Sequence, residues 1–140
     1  MLYIVRGLPG SGKSTLGATL AAGRCYSADD FFVGEDGVYR FDPTKLSEAH
    51  SACQENVARA LGAGEVVAVA NTFCERWELM PYFKIAKGAR LVVISLYDQG
   101  YNDVELARRN SHGVPAEAIR KMRQRYDHAL TGDPRAPWER

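Results

Sequence analysis

The sequence predicts an α/β fold in which a parallel sheet of about four to five strands carries helices on both faces. Three observations point there. The short apolar runs LYIVR (2–6), VVAVA (66–70) and LVVISL (91–96) alternate with segments of helical spacing, the order of strand–helix–strand units. The runs are apolar throughout rather than alternating, as in strands covered on two sides. The first run also leads directly into the glycine-rich stretch GLPGSGKS (7–14), a pattern that needs a strand before it and a helix after it.

Each element has a local reason. The strand at 2–6 is bounded by Gly7, and the helix formers from Ser14 to Ala22 stop at Gly23. CYS (25–27) reads as a short second strand. FFVGEDGVYRF (31–41) carries an Asp36-Gly37 turn signal between aromatic residues, so a loop or small hairpin is expected. Asp42-Pro43 supplies a helix N-cap with Pro at the first helical position. Leu46, Ala49, His50, Cys53, Val57, Ala60 and Leu61 follow at helical spacing until Gly62 and Gly64, which places His50 in the core stripe. After the strand at 66–70, a helix is expected over part of 75–87 despite Pro81, then the strand at 91–96 and a helix at 103–109. NSHGVP (110–115) breaks that helix. A last helix from Pro115 to about Leu130 places Ile119, Met122 and Tyr126 at core spacing. The expected organisation is one domain over 1–130 and a loose tail at 131–140, where TGDPRAPWER holds two prolines.

Composition bounds the function. A chain of 140 residues, 46% apolar and 25% charged, suits one soluble globular core. No apolar run approaches the ~20 residues of a membrane span, and no signal peptide is expected in MLYIVRGLPG. Cys25, Cys53 and Cys74 form no metal-spaced pair, so a reduced, cytoplasmic setting is expected. A net charge of +1 excludes a uniformly basic nucleic-acid binder, but the charge is sorted. Between residues 106 and 125, Arg108, Arg109, Arg120, Lys121, Arg123 and Arg125 face one acid, Glu117, whereas Asp29, Asp30, Glu35, Asp36 and Asp42 cluster earlier.

Gly7 to Ser14 fits G-x-x-x-x-G-K-S/T. Gly10 and Gly12 permit backbone angles that turn amides, Ser11 among them, inward around phosphate oxygens. The following helix aims its positive end at the same anion. Lys13 reaches the β- and γ-phosphates, and the Ser14 hydroxyl takes a Mg²⁺ position. A nucleoside triphosphate with Mg²⁺ is the expected ligand.

The phosphate then goes to water or to a hydroxyl. No Asn-Lys-x-Asp segment of a guanine-specific switch is present, and the third strand ends in Asn71 rather than the acid that a motor ATPase uses for Mg²⁺. Both absences favour a kinase. A kinase needs a carboxylate at the incoming hydroxyl, and YSADDFF (26–32) places Asp29 and Asp30 after the second strand, on the edge that carries the phosphate loop. Asp29 is assigned as the base, with Asp30 capping or supporting; the alternative is that both only cap a helix. Arg109, before the glycine-containing break, is a lid arginine suited to charge on the transferring phosphoryl group. For Arg120, Lys121, Arg123 and Arg125 a solvated face and a functional one both stand. His112 serves either as a phosphate contact or as a turn residue.

Together, RGLPGSGKSTL, S-A-DDFF with YRFD after it, L-x-E-AH, N-T-F-x-x-x-W-E-x-x-PY, ELARRN-x-HGV and I-x-x-M resemble the P-loop polynucleotide-kinase-like family over roughly Leu2 to Tyr126. Within that family the pattern is similar to the kinase domain of the Nedd-four-binding-protein-two-like proteins and, more distantly, to the kinase half of phage polynucleotide kinase–phosphatase. The resemblance implies a small P-loop kinase fold with a short C-terminal lid. It implies transfer of the ATP γ-phosphate to a nucleic-acid hydroxyl of DNA or RNA, typically at a 5′ end. By position, Lys13, Ser14 and Thr15 match the phosphate and Mg²⁺ site, Asp29 the general base, and Arg109 a lid-helix arginine. The chain departs from the pattern in four places. Phe32 stands where the phage enzyme has an acceptor-phosphate arginine, and Asn71 stands where it has an acid. Ala70-Asn71-Thr72-Phe73 replaces Asp-Asn-Thr-Asn of nearer relatives, and the second lid arginine has no counterpart unless His112 substitutes. Phe31, Phe32, Tyr39 and Phe41 are candidates for base stacking or for core packing. Other acceptors remain open: a hydroxymethylated base extruded from phage DNA, a small molecule such as a nucleoside or sugar, or none, if the chain is a nucleotide-dependent binding module.

Overall fold

The computed structural model describes residues 1–140. Four strands, β1 (Leu2–Gly7), β2 (Cys25–Tyr26), β3 (Val67–Asn71) and β4 (Leu91–Tyr97), form one parallel sheet in the order β2-β3-β1-β4. Between and after them run α1 (Lys13–Leu20), α2 (Leu46–Gly62), α3 (Arg76–Ile85), α4 (Asp103–Arg109) and α5 (Ala116–Gln124). Leu2 pairs with Val67 on one side and Leu91 on the other, so β1 is central and its carboxyl end delivers the glycine-rich loop between two neighbours. Loops at such carboxyl ends are where open parallel sheets bind ligands.

Strand periodicity divides the core. Leu2, Ile4, Val67 and Val69 face one side and pack with Ala49, Cys53 and Val57 of α2 and Leu79 and Tyr82 of α3. On the other side α1 comes close because residue 17 is glycine: a Cβ there would lie 2.5 Å from Cys25 Sγ and 3.5 Å from Ala68 Cβ. The segment 31–41 is the expected small hairpin, bridged at Val33 and Tyr39. Asp42 caps as expected, but it caps a 3-10 turn, Pro43–Lys45, that feeds α2.

Three expectations need correction. The last helix ends at Gln124, not near Leu130, because tertiary bonds redirect the chain: Asp127 N donates to Cys74 O at 2.7 Å and Arg6 Nη1 donates to Asp127 O at 2.9 Å. β4 is not covered on both faces, since as an edge strand it leaves Val92 38% and Val93 36% exposed. His50 is at the surface; the buried stripe of α2 is Ala49, Cys53, Val57 and Ala60. The tail folds back on α3, with Arg76 donating to Gly132 O and the Trp77 and Trp138 rings 5.4 Å apart.

Arg6 is a structural centre inside an apolar strand. It is buried without a carboxylate partner. Its guanidinium donates to Phe73 O at 3.0 and 2.7 Å, to Cys74 O and to Asp127 O, and lies 4.2 Å from the Tyr126 ring centroid. These bonds hold Phe73 at a φ of 45°, a left-handed conformation costly for a non-glycine residue. Arg6→Met would leave the buried Phe73 O unpartnered and take one of two donors from Cys74 O and from Asp127 O. It is expected to lower unfolding free energy by about 3 kcal/mol or more, read as the shift of the urea midpoint.

Candidate active site

The glycine-rich loop is built to surround an anion. Gly10 and Gly12 have φ of 83° and 90°, the region open to glycine at no steric cost. At Gly10 a Cβ would also lie 2.5 Å from Leu106 O and 3.2 Å from Asn110 N, so the end of α4 rests on the loop only because that residue has no side chain. α1 begins at Lys13 with no side chain capping its N-terminus, which leaves its first amides free for an anionic ligand. Ser11 Oγ is buried without a hydrogen-bond partner. The only protein acceptor of Lys13 Nζ is Leu8 O, at 3.5 Å. Burial lowers the Lys13 pKa, while the charge of Asp29 raises it. An orphaned hydroxyl, uncapped amides and a desolvated ammonium lie side by side in the loop, and the phosphates of a nucleotide fit that donor set.

The adjacent aspartates have different partners. After β2 a 3-10 turn, Ala28–Phe32, is closed by a capping box. Asp30 Oδ2 accepts from Ser27 N at 2.9 Å, and Ser27 Oγ accepts from Asp29 N at 3.2 Å. Burial raises the Asp30 pKa and the Ser27 amide lowers it. Asp30 is therefore the cap, and the Asp29 carboxylate is free of the turn. The turn is tied to β3 by Asn71, whose Oδ1 accepts from Ala28 N at 2.9 Å and Ser27 Oγ at 3.2 Å. The residue noted in the sequence as a missing acid thus anchors the segment that carries Asp29.

Two aromatic side chains meet at the Asp29 carboxylate. Tyr39 Oη donates to Oδ1 at 3.0 Å, and His112 Nε2 lies 3.5 Å from Oδ2. Their rings stack at 4.2 Å with a 35° tilt. Desolvation and the neighbouring carboxylate push the Tyr39 phenol up to about 12, so it is a proton donor to Asp29 at neutral pH. His112 reaches that point because Asn110 closes its loop: Asn110 Nδ2 donates to Leu106 O, Ala107 O and Val114 O, while Oδ1 accepts from the amides of His112 and Val114. Sequence reasoning weighed Tyr39 only for base stacking or core packing and missed its bond to Asp29, and it missed Asn110 as a site residue. The only signal for these roles was their place inside the YRFD and RRN-x-HGV segments.

The basic segment resolves residue by residue. Arg109 ends α4 beside the loop, its guanidinium 4.2 Å from the Tyr101 ring centroid and 3.8 Å from Glu105. Arg120 pairs with Glu117 at the surface. Arg123 faces inward, bonded to Asp98, Asp103, Tyr97 Oη and Tyr101 O, and clasps α5 to α4 and the end of β4. Phe32 is core, whereas Phe31 and Phe41 are exposed. Ser14 and Thr15 are exposed at the mouth of the loop. The chain has no group of three or more His, Cys, Asp and Glu that could hold a metal ion. No helix is long and apolar enough to cross a membrane.

Residues 2–129 match the family described as AAA domain. The chain is similar to NEDD4-binding protein 2 of Homo sapiens, at 36% identity over 139 residues, and covers 94% of this chain but 8% of that protein. A chain from the structure of the Pnkp1/Rnl/Hen1 RNA repair complex superposes with a TM-score of 0.69 at 20% identity, covering 89% of this chain and 43% of that one. A gluconokinase from Sinorhizobium meliloti 1021 superposes with a TM-score of 0.55 at 19% identity, covering 96% and 77%. At these identities the two solved structures share the fold.

Proposed function

Because the chain belongs to the AAA-domain family, as a P-loop kinase-like domain, we propose that it transfers the γ-phosphate of ATP to a nucleic-acid hydroxyl, most simply the 5′-OH of DNA or RNA. One observation carries the reading: the Asp29 carboxylate, held by Tyr39, sits near enough to Lys13 for its charge to act on that ammonium.

The amides of Gly10 to Ser14 and the Lys13 ammonium would hold the β- and γ-phosphates, with Ser14 offering its hydroxyl to Mg²⁺ and Thr15 beside it. Bound ATP with Mg²⁺ supplies the electrophilic phosphorus and the diphosphate leaving group. Asp29 orients the acceptor hydroxyl and takes its proton as the oxygen–phosphorus bond forms and the bond to the diphosphate breaks. Tyr39 occupies Oδ1, which leaves Oδ2 as the basic atom. His112 Nε2 lies 3.5 Å from Oδ2, and the incoming hydroxyl would take its place. Arg109, on the helix that rests on Gly10, would reach the transferring group by leaving Tyr101 and Glu105, contacts weak enough at a surface to exchange.

Tyr39→Phe removes the donor on Oδ1 and loosens the base. Turnover is expected to fall about tenfold, the effect of a hydrogen bond to a charged group of about 1.4 kcal/mol or more, with ATP affinity unchanged by calorimetry.

The deciding experiment incubates the protein with γ-labelled ATP and Mg²⁺ and separate acceptors: 5′-OH DNA, 5′-OH RNA, DNA with hydroxymethylated pyrimidines, nucleosides and sugars. Label on a 5′-OH oligonucleotide supports the proposal. Label only on a hydroxymethylated base or a small molecule replaces the acceptor. ATP binding without transfer to anything replaces the kinase by a binding module. The small-molecule reading has its own support, since a gluconokinase shares the fold and the net charge is only +1.

A further inference from the structure

We propose that the groove between the Ala28–Phe32 turn and the hairpin strand after it holds a single-stranded nucleic-acid acceptor, with bases stacked on Phe31 and Phe41 and phosphates met by Arg40 and Lys45. The inference rests on the kinase reading above and gives that reading a substrate form: an unpaired strand bound without base preference.

The groove has a volume of about 590 Å³, and its lining includes Phe31, Phe32, Arg40, Phe41, Pro43 and Lys45. Phe31 is 39% exposed and Phe41 51%, while Phe32 between them is 6% exposed. Phe32 meets Phe31 at 5.4 Å and 88°, and Phe41 at 5.1 Å and 65°. A buried ring thus stands edge-on against two exposed ones and fixes their planes. The hairpin holds the arrangement from the other side: Arg40 N donates to Phe32 O at 2.9 Å, and Gly34 N to Val38 O at 3.1 Å. Rigid aromatic faces open to solvent suit stacking of any base, because every base presents a π-face.

The charge around the rings selects an anion. Lys45 lines the groove and forms no ion pair. Arg40 pairs with Asp36 in an exposed contact, which a phosphate can replace at little cost. The one acid of the lining, Asp42, turns its Oδ1 to Thr44 N at 3.0 Å and Thr44 Oγ1 at 2.6 Å. Aromatic faces beside one unpaired cation and one exchangeable cation are the elements of single-strand binding.

The groove adjoins the segment that carries Asp29. Phe31 is two residues beyond Asp29 on the same turn. Tyr39 joins the two places, donating to Asp29 at 3.0 Å while its ring meets that of Phe32 at 6.2 Å. A strand whose terminal hydroxyl is at Asp29 runs past Tyr39 onto the rings.

The test measures binding apart from transfer. A fluorescein-labelled 5′-OH oligothymidylate is titrated by anisotropy into the full chain and into Phe31→Ala, Phe31→Ala/Phe41→Ala and Lys45→Ala. Loss of a stacking ring is expected to weaken binding about fivefold or more, with ATP affinity unchanged as the check on folding. Phe31→Ala alone serves if the double variant unfolds. Lys45→Ala is expected to flatten the plot of log affinity against log salt by about 0.7, one phosphate contact on a single strand. Equal affinity of the ring variants and the parent overturns the groove and leaves the kinase reading standing. Parent protein that phosphorylates nucleosides or sugars and binds no oligonucleotide overturns both the groove and the acceptor class. Parent protein that transfers nothing sinks the kinase reading alone, and the ring variants then still decide the groove.

Discussion

Asp29→Asn is expected to lower turnover ~10²–10⁴-fold, the range for losing a general base, with ATP affinity within about twofold of the parent. The substitution preserves shape. The amide oxygen can still accept from Tyr39 Oη, which now bonds Oδ1 at 3.0 Å, and the turn is closed by Asp30 and Asn71 rather than by Asp29. The second position changes from an acceptor of protons to an NH₂ donor, so it can neither orient nor deprotonate an incoming hydroxyl. Steady-state transfer from γ-labelled ATP, beside calorimetric ATP binding, separates the two effects. A rate near that of the parent would remove Asp29 from the role of base, whatever the acceptor proves to be.

Lys13→Ala is expected to abolish detectable transfer, with a loss of ~10²–10³-fold from the missing charge on the transferring phosphoryl group alone and about tenfold or more weaker ATP binding. Stability should move the other way. Lys13 has one long contact, to Leu8 O at 3.5 Å, and burial lowers its pKa below the ordinary 10.5. A lysine whose folded pKa is lowered binds its proton less tightly folded than unfolded. Its charge therefore costs stability at neutral pH, and the cost fades as pH rises through the lowered pKa toward 10.5. The alanine variant should melt at the same temperature as the parent or slightly higher near neutrality. Addition of ATP with Mg²⁺ should raise the parent's Tm and leave the variant's nearly unchanged, by mass action on the folded state. Equal activity of the two proteins would remove the phosphate-loop assignment.

How much of the site was legible depended on how local each piece is. The phosphate loop was readable because its glycines, Lys13 and Ser14 act through backbone conformation within eight residues. The existence of a carboxylate at the end of the second strand was readable for the same reason. Which aspartate is free was not, since both fit a cap; the capping box between Ser27 and Asp30 decided it. Asn71 read as an absence because its task, anchoring Ala28 across 43 residues, is invisible along the chain. Arg6 looked like the polar end of an apolar strand, and its carbonyl partners lie 67 to 121 residues away. The surface position of His50 and the early end of α5 share that cause. Helical periodicity marks a face, but the neighbouring elements decide how far the face is covered.

By itself the sequence determined the class of this protein: strand order compatible with a parallel sheet, an anion cradle at the head of the first helix, and paired acids on the same edge. These follow from periodicity, glycine conformation and capping chemistry, which operate over a few residues. Only the tertiary structure decided that Asp29 is the carboxylate not used to close the turn, that Tyr39 and His112 meet upon it, and that Phe31 and Phe41 remain open while Phe32 is closed. Those outcomes depend on loops from different strands arriving at one sheet edge, and the distances between such loops are set by packing of the core beneath them.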